Sequence, residues 1–341
     1  MGSVHAAKLE KHGWRRWLAP CIALVLVALA AFLLSRTLRQ YRLEDITTSL
    51  AAISISHFAL MIAFAAASYL TLTGFDWLAL RYVGLKLPYP KVALASFCSL
   101  SLGHNIGFAA LSSGAVRYRF YTRWGASPGD VAKIVVFCGI TVGLGLMILG
   151  GCATLIRYDL ASRVTGLPEA ACIGLGITCL ATAAAYVALS AWRRHPFRVR
   201  HWTVEIPPPR LALAQVVVGP TNFAFVAACL YHALAAAGTV AYLEVAAVYV
   251  IANVTSLISH VPGGLGVIET VVRYLLPDSN VIGALIAFRA VYFLLPLCLG
   301  GPLFGLTELM LRKGAGRASK QTTASRSKQP QRPKRVHQPG R

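Results

Sequence analysis

Long runs without a single charged side chain alternate with short basic clusters along this chain. The uncharged runs cover 17–35, 46–75, 92–116, 134–156, 170–192, 211–243 and 245–268, and a further segment, 279–307, holds one charge, Arg289. A helix needs about 20 predominantly apolar residues to cross the hydrocarbon of a bilayer. The pattern therefore predicts an all-α, polytopic integral membrane protein. A soluble fold is excluded by the same count, since only 13% of the residues are charged where a soluble domain carries roughly a quarter.

Two of the runs are interrupted. The run at 92–116 has a polar centre at His104-Asn105 with Gly107, and the stretch 243–276 is broken by His260-Val261-Pro262-Gly263-Gly264. Proline and paired glycines end a helix, and the freed backbone is tolerated at membrane depth only where protein or water satisfies it.

Orientation follows Lys and Arg in short loops. If 92–116 crosses fully, the basic loop 193–210 falls on the outer side, against the rule. If 92–116 dips in and returns, 26 of the 33 Lys and Arg lie on the cytoplasmic side and six outside. The expected path has about six full spans plus two re-entrant broken-helix hairpins, with eight simple crossings as the alternative. Both termini are then cytoplasmic. The expected organisation is a basic N-terminus (1–16), a membrane domain (17–311) and a disordered basic tail (312–341). All six Trp lie at or beyond segment ends, as interfacial anchors do. The two hairpins share a coarse plan of apolar arm, break with His and Gly, and return arm, which is the arrangement by which many transporters build a site near the midplane.

The net charge of +21 does not imply nucleic acid, because the basic residues mark loops and one tail rather than a folded face. The eight cysteines lie mostly in apolar runs without metal spacing and read as packing residues. No nucleotide, zinc-protease, hydrolase or dinucleotide motif is present. No cofactor and no metal are expected. The basic start before 17–35 resembles a signal peptide in outline, but the run is long and no cleavage site follows, so an uncleaved helix is expected.

Arg289 is the leading functional candidate, since a buried arginine costs at least about 2.5 kcal/mol on insertion scales and must face a partner or a wet cavity. Glu269 is its natural partner, and a Glu and an Arg on one cavity suit a zwitterionic or phosphate-bearing headgroup. Arg117 and Arg119 are candidates for lipid phosphate at the inner leaflet, or ordinary positive-inside anchors. Asp76 is a secondary candidate, read first as an interfacial pair with Arg81. His104, Asn105, His260, Pro262, Gly263 and Gly264 are the gating or broken-helix positions. Gly139-xxx-Gly143 and Gly301-xxx-Gly305 read as close helix contacts.

Four stretches carry a family resemblance: YLTLTGFDWLALRY (69–82), NIGFAALSSGAVRYR (105–119), HVPGGLGVIE (260–269) and FRAVYFLLP (288–296). Together they resemble the membrane domain of lysylphosphatidylglycerol synthases/flippases, the multiple peptide resistance factors, over nearly everything up to residue 311. The resemblance implies movement of an aminoacylated phosphatidylglycerol between leaflets of the bacterial inner membrane, with Glu269, Arg289, Arg117 and the Pro-Gly-Gly break at the lipid cavity. The soluble synthase domain of full-length relatives is not expected here, and synthase activity with it. The implied partners are anionic phospholipids and a separate lipid-modifying synthase; an oligomer is left open. Two further readings stand beside the translocator: a lipid headgroup (lysyl) transferase or its membrane subunit, and a non-catalytic membrane anchor.

Overall fold

The computed structural model of the chain describes residues 51, 53–106, 109–192, 197–199, 202–204, 206–236, 238–259, 261, 264–275 and 281–310. The expected first span at 17–35, the N-terminus and the tail from 312 lie outside the described residues. The elements are α1 (Ile55–Tyr82), α2 (Tyr89–Ile106), α3 (Ala109–Arg123), α4 (Pro128–Ile156), α5 (Tyr158–Thr165), α6 (Glu169–Trp192), β1 (Phe197–Val199), β2 (Trp202–Val204), α7 (Pro209–Ala235), α8 (Tyr242–Ser259), α9 (Val267–Leu275) and α10 (Val281–Arg289). A π-helical turn, Ala290–Leu294, follows α10 directly.

Among the described residues six helices are long and apolar enough to cross a membrane: Ile55–Tyr82, Pro128–Ile156, Glu169–Trp192, Pro209–Ala235, Tyr242–Ser259 and Val281–Met310. The protein is thus an all-α polytopic membrane protein, and its only described strands are β1 and β2, a short antiparallel ribbon in the basic 193–210 loop with Phe197 opposite Val204. The outward face of α6 shows what such a helix presents to lipid, with Leu175, Ile177, Leu189 and Trp192 exposed.

Local chemistry sets the helix ends. Ser127 caps α4, its hydroxyl taking the Asp130 amide at 3.1 Å while Asp130 takes the Ser127 amide at 2.9 Å, and Pro128 supplies the fixed φ of a first helical residue. At the other side of the hairpin, α1 gives way to Gly84, whose φ of 76° is a left-handed conformation open to glycine.

The chain divides into two compact units, Leu26–Gly301 and a smaller one combining Met1–Val25 with Pro302–Arg341. In the smaller unit the described residues, 302–310, are helical, with Phe304 and Glu308 buried.

In the larger unit α1 and α7 run antiparallel, as Ser68 bonds Asn222 near their middles and His57 meets His232 at one end. Helix α4 crosses α7 where two glycines face each other: a Cβ built on Gly145 would lie 2.6 Å from the Gly219 carbonyl carbon. Any larger residue would wedge the pair apart. Pro220, next to that crossing, removes one backbone donor from α7.

The glycine spacings singled out from sequence are not these contacts. A Cβ built on Gly139, Gly143, Gly301 or Gly305 would meet no described atom within 4 Å. Among the described residues the close approaches fall instead on Gly103, Gly145, Gly151, Gly176, Gly219, Gly264 and Gly300.

Both interrupted segments turn back on themselves. Gly103 of α2 faces Ser113 of α3, a Cβ on Gly103 lying 2.8 Å from that of Ser113, so the chain reverses between these helices. Helix α9 has only nine residues, about 13 Å of rise, too short to cross. Its partner α8 is long enough to do so.

Candidate functional site

In the membrane-embedded part of the larger unit, two arginines among the described residues are buried, each engaged by a carboxylate. Arg117, on the return arm α3, is 3% exposed, and Asp76 of α1 is fully buried. The guanidinium meets the carboxylate side-on, Nε to Oδ1 and Nη2 to Oδ2 both at 2.8 Å. Asp76 also accepts from Ser96 and Tyr121, each at 2.8 Å, and Arg117 Nη1 donates to Ser113 at 2.9 Å. Every carboxylate oxygen therefore has two donors, which is the condition under which a buried charge pair is tolerated. The pair ties the first hairpin to α1.

This geometry corrects two sequence expectations. Arg117 is not an ordinary positive-inside anchor, the second of its two readings, because α3 continues through Arg123 and turns Arg117 inward. Nor is Arg81 the partner of Asp76: its guanidinium carbon stacks 3.4 Å over the Trp77 ring, an arrangement suited to an interfacial belt. Arg119 stays half-buried on α3.

The second pair closes the other hairpin. Arg289, 3% exposed at the end of α10, bonds Glu269 of α9 through Nε to Oε1 and through Nη2 to Oε2, the latter at 2.9 Å. Nη2 also reaches the Gly264 carbonyl at 2.9 Å, and the Gly266 amide donates to Glu269 at 2.9 Å. Arginine thus satisfies a carbonyl released where the helix is broken, as membrane-depth backbone requires. Gly264 has a φ of 58°, and a Cβ on it would overlap Ser256 Oγ, so the position admits no side chain. The Glu269 side chain keeps 21% exposure, so the pair is reachable from one side. His260, Pro262 and Gly263 lie outside the described residues.

Between the pairs lies the π-helical turn, which no residue pattern announces. A π turn shifts carbonyls away from their usual partners and recurs at functional sites. Two other elements take them up: Tyr69 donates to the Tyr292 carbonyl at 3.4 Å, and Asn105, at the tip of the first hairpin, donates to the Phe293 carbonyl at 3.3 Å. Tyr292 itself shares a buried network with Ser68 at 3.0 Å, and Ser68 donates to Asn222 at 2.7 Å. Both hairpins therefore end on the same stretch of the last span, one through Asn105 and the other through Arg289.

His104 stands beside it. Its ring packs against those of Tyr69, Tyr292 and Phe293, with centroids 6.2, 6.3 and 6.5 Å away. Its Nδ1 is buried without a hydrogen-bond partner among the described residues. No cluster of three or more metal-ligating side chains occurs among them.

Comparison with known proteins agrees with this architecture. Residues 21–300 match the family model described as the lysylphosphatidylglycerol synthase TM region. The chain is 30% identical over 293 residues to an uncharacterised protein of Synechocystis, covering 85% of this chain and 91% of that one. It is 29% identical over 263 residues to the inner membrane protein YbhN of Escherichia coli, covering 72% and 78%. The chain belongs to the lysylphosphatidylglycerol synthase TM region family.

Proposed function

We propose that this family member is a phospholipid translocator of the bacterial inner membrane, moving polar headgroups past the hydrocarbon while the acyl chains stay in the bilayer. The observation that carries the reading is the Arg289–Glu269 pair, a guanidinium and a partly exposed carboxylate held against a hairpin break. Guanidinium matches phosphate bidentately, and the carboxylate offers a counter-charge to an ammonium. An aminoacylated phosphatidylglycerol carries both groups. Moving such a headgroup through bare hydrocarbon leaves its polar atoms unsatisfied; contact with the Arg289–Glu269 pair would lower that cost. The absence of a nucleotide motif supports downhill or gradient-driven movement. Anionic lipids of the inner leaflet are the expected partners of the basic tail, and both termini are cytoplasmic in this reading.

The test is reconstitution in liposomes with headgroup-labelled phospholipids. Wild type should equilibrate the label between leaflets, and Arg289→Ala and Glu269→Gln should slow it about tenfold or more, the equivalent of at least 1.4 kcal/mol. Equal rates for wild type, both variants and protein-free vesicles would overturn the reading. A membrane anchor would instead lose partner assembly in Arg289→Ala.

A further inference from the structure

We propose that His104 is a proton-binding site coupled to the anionic headgroup, so that each H⁺ taken up at Nδ1 accompanies one negative charge into the protein. The inference rests on the translocator reading and adds its driving force.

A buried polar group without a partner costs about 1–3 kcal/mol, and natural structures keep few of them. Nδ1 of His104 is such a group. The residue sits on the last turn of α2, at the tip of the first hairpin, half-buried as a whole with Nδ1 on its buried side. The walls around it are aromatic: Tyr69 from α1, and Tyr292 and Phe293 from the π turn. Aromatic faces attract a cation but offer no strong acceptor to Nδ1. The Tyr69 and Tyr292 hydroxyls are committed elsewhere, to the Tyr292 carbonyl and to Ser68.

The charges nearby decide what protonation requires. Arg117 from α3 bonds Ser113, which packs against Gly103, the chain neighbour of His104, and Arg289 lies over the Phe293 ring at 5.4 Å. Both are cations, and each already engages a carboxylate, Asp76 and Glu269 respectively. An imidazolium at His104 would therefore add positive charge close to guanidiniums whose counter-ions are occupied, with the Phe293 ring packed against both His104 and Arg289. The missing anion has to come from outside the protein, and a lipid phosphate entering between the hairpins supplies it. Proton and anion binding are then linked, each favouring the other by the same factor. The proton enters from the more acidic side, resides on Nδ1, and leaves to the other side when the headgroup departs; no bond to the lipid forms.

The experiment uses proteoliposomes of the full chain under an imposed pH gradient, with labelled phosphatidylglycerol or phosphatidylcholine. In wild type the gradient should bias phosphatidylglycerol between leaflets several-fold and leave phosphatidylcholine unbiased. His104→Gln and His104→Asn should abolish the bias. A wild type that moves both lipids but ignores the gradient overturns the coupling alone, whereas a wild type that moves no lipid removes the translocator reading beneath it. Full bias in folded His104→Gln also overturns it. Because variants can misfold, a second measurement uses wild type in detergent: short-chain phosphatidylglycerol should take up about one proton per chain, read with a pH indicator, by the linkage above. Absence of uptake at saturating lipid counts against the proposal.

Discussion

Asp76 and Arg117 meet side-on inside the protein, 41 residues apart in sequence, with two parallel bonds of 2.8 Å. Removing one partner of such a pair leaves an uncompensated buried charge, at a cost of about 3–5 kcal/mol in proteins where this has been measured. Arg117→Met alone, or Asp76→Leu alone, should therefore lower the melting temperature in detergent sharply. The double substitution should recover most of the loss, since apolar replacement of a whole buried pair is often neutral. Additive losses in the double variant would show that the two residues do not act together.

The glycine contacts give a prediction with opposite signs at neighbouring positions. Gly145→Ala places a methyl where the backbone of Gly219 already lies, and overpacking of that kind costs about 1–3 kcal/mol. Gly139→Ala meets nothing among the described residues and replaces a poor helix former, so it should be neutral or stabilising by up to about 1 kcal/mol. Thermal unfolding of the two variants decides between this assignment and one based on motif spacing, which ranks them the other way.

Asn105 should control the π turn. With Asn105→Ala, the Phe293 carbonyl loses its donor from the first hairpin, and amides of 290–297 should exchange with deuterium about 5–30 times faster, the factor set by one or two kcal/mol. Unchanged exchange would mean that the turn is held by its own span.

The re-entrant path predicts that both ends of the first hairpin face the cytoplasm. Single cysteines at positions 86 and 123, in a background freed of native cysteines, should both react with an impermeant reagent from the cytoplasmic side only. Labelling from opposite sides would favour a simple crossing of 92–116.

Much of this is readable because charge is so scarce in the chain. A lone arginine in an apolar run must find a counter-charge, and Glu269 is the natural choice; the ion pair in the structure joins those two residues. The helical class and the two hairpin breaks are legible for the same reason, since charges, prolines and glycines punctuate an otherwise apolar text. Asp76 is easily misread because Arg81 is close in sequence, whereas its partner arrives from a hairpin folded back against α1. Spacing says nothing about which helix face looks inward, and among the described residues the GxxxG pairs make no close approach. The π turn has no residue signature at all: its carbonyls are held by Tyr69 and Asn105, which are remote in sequence.

The π turn also sets the rotational phase of the last span. It accommodates one residue more than an α turn would, and one residue corresponds to about 100° of rotation at 3.6 residues per turn. Positions after Leu294 are thus out of phase with those before Ala290. Deleting a single residue within 290–294 would restore the α phase and swing the following segment's inward stripe toward lipid. An alignment that slides by one position there turns the helix face by about 100° without altering its hydropathy, so length at this point is itself part of the protein's design.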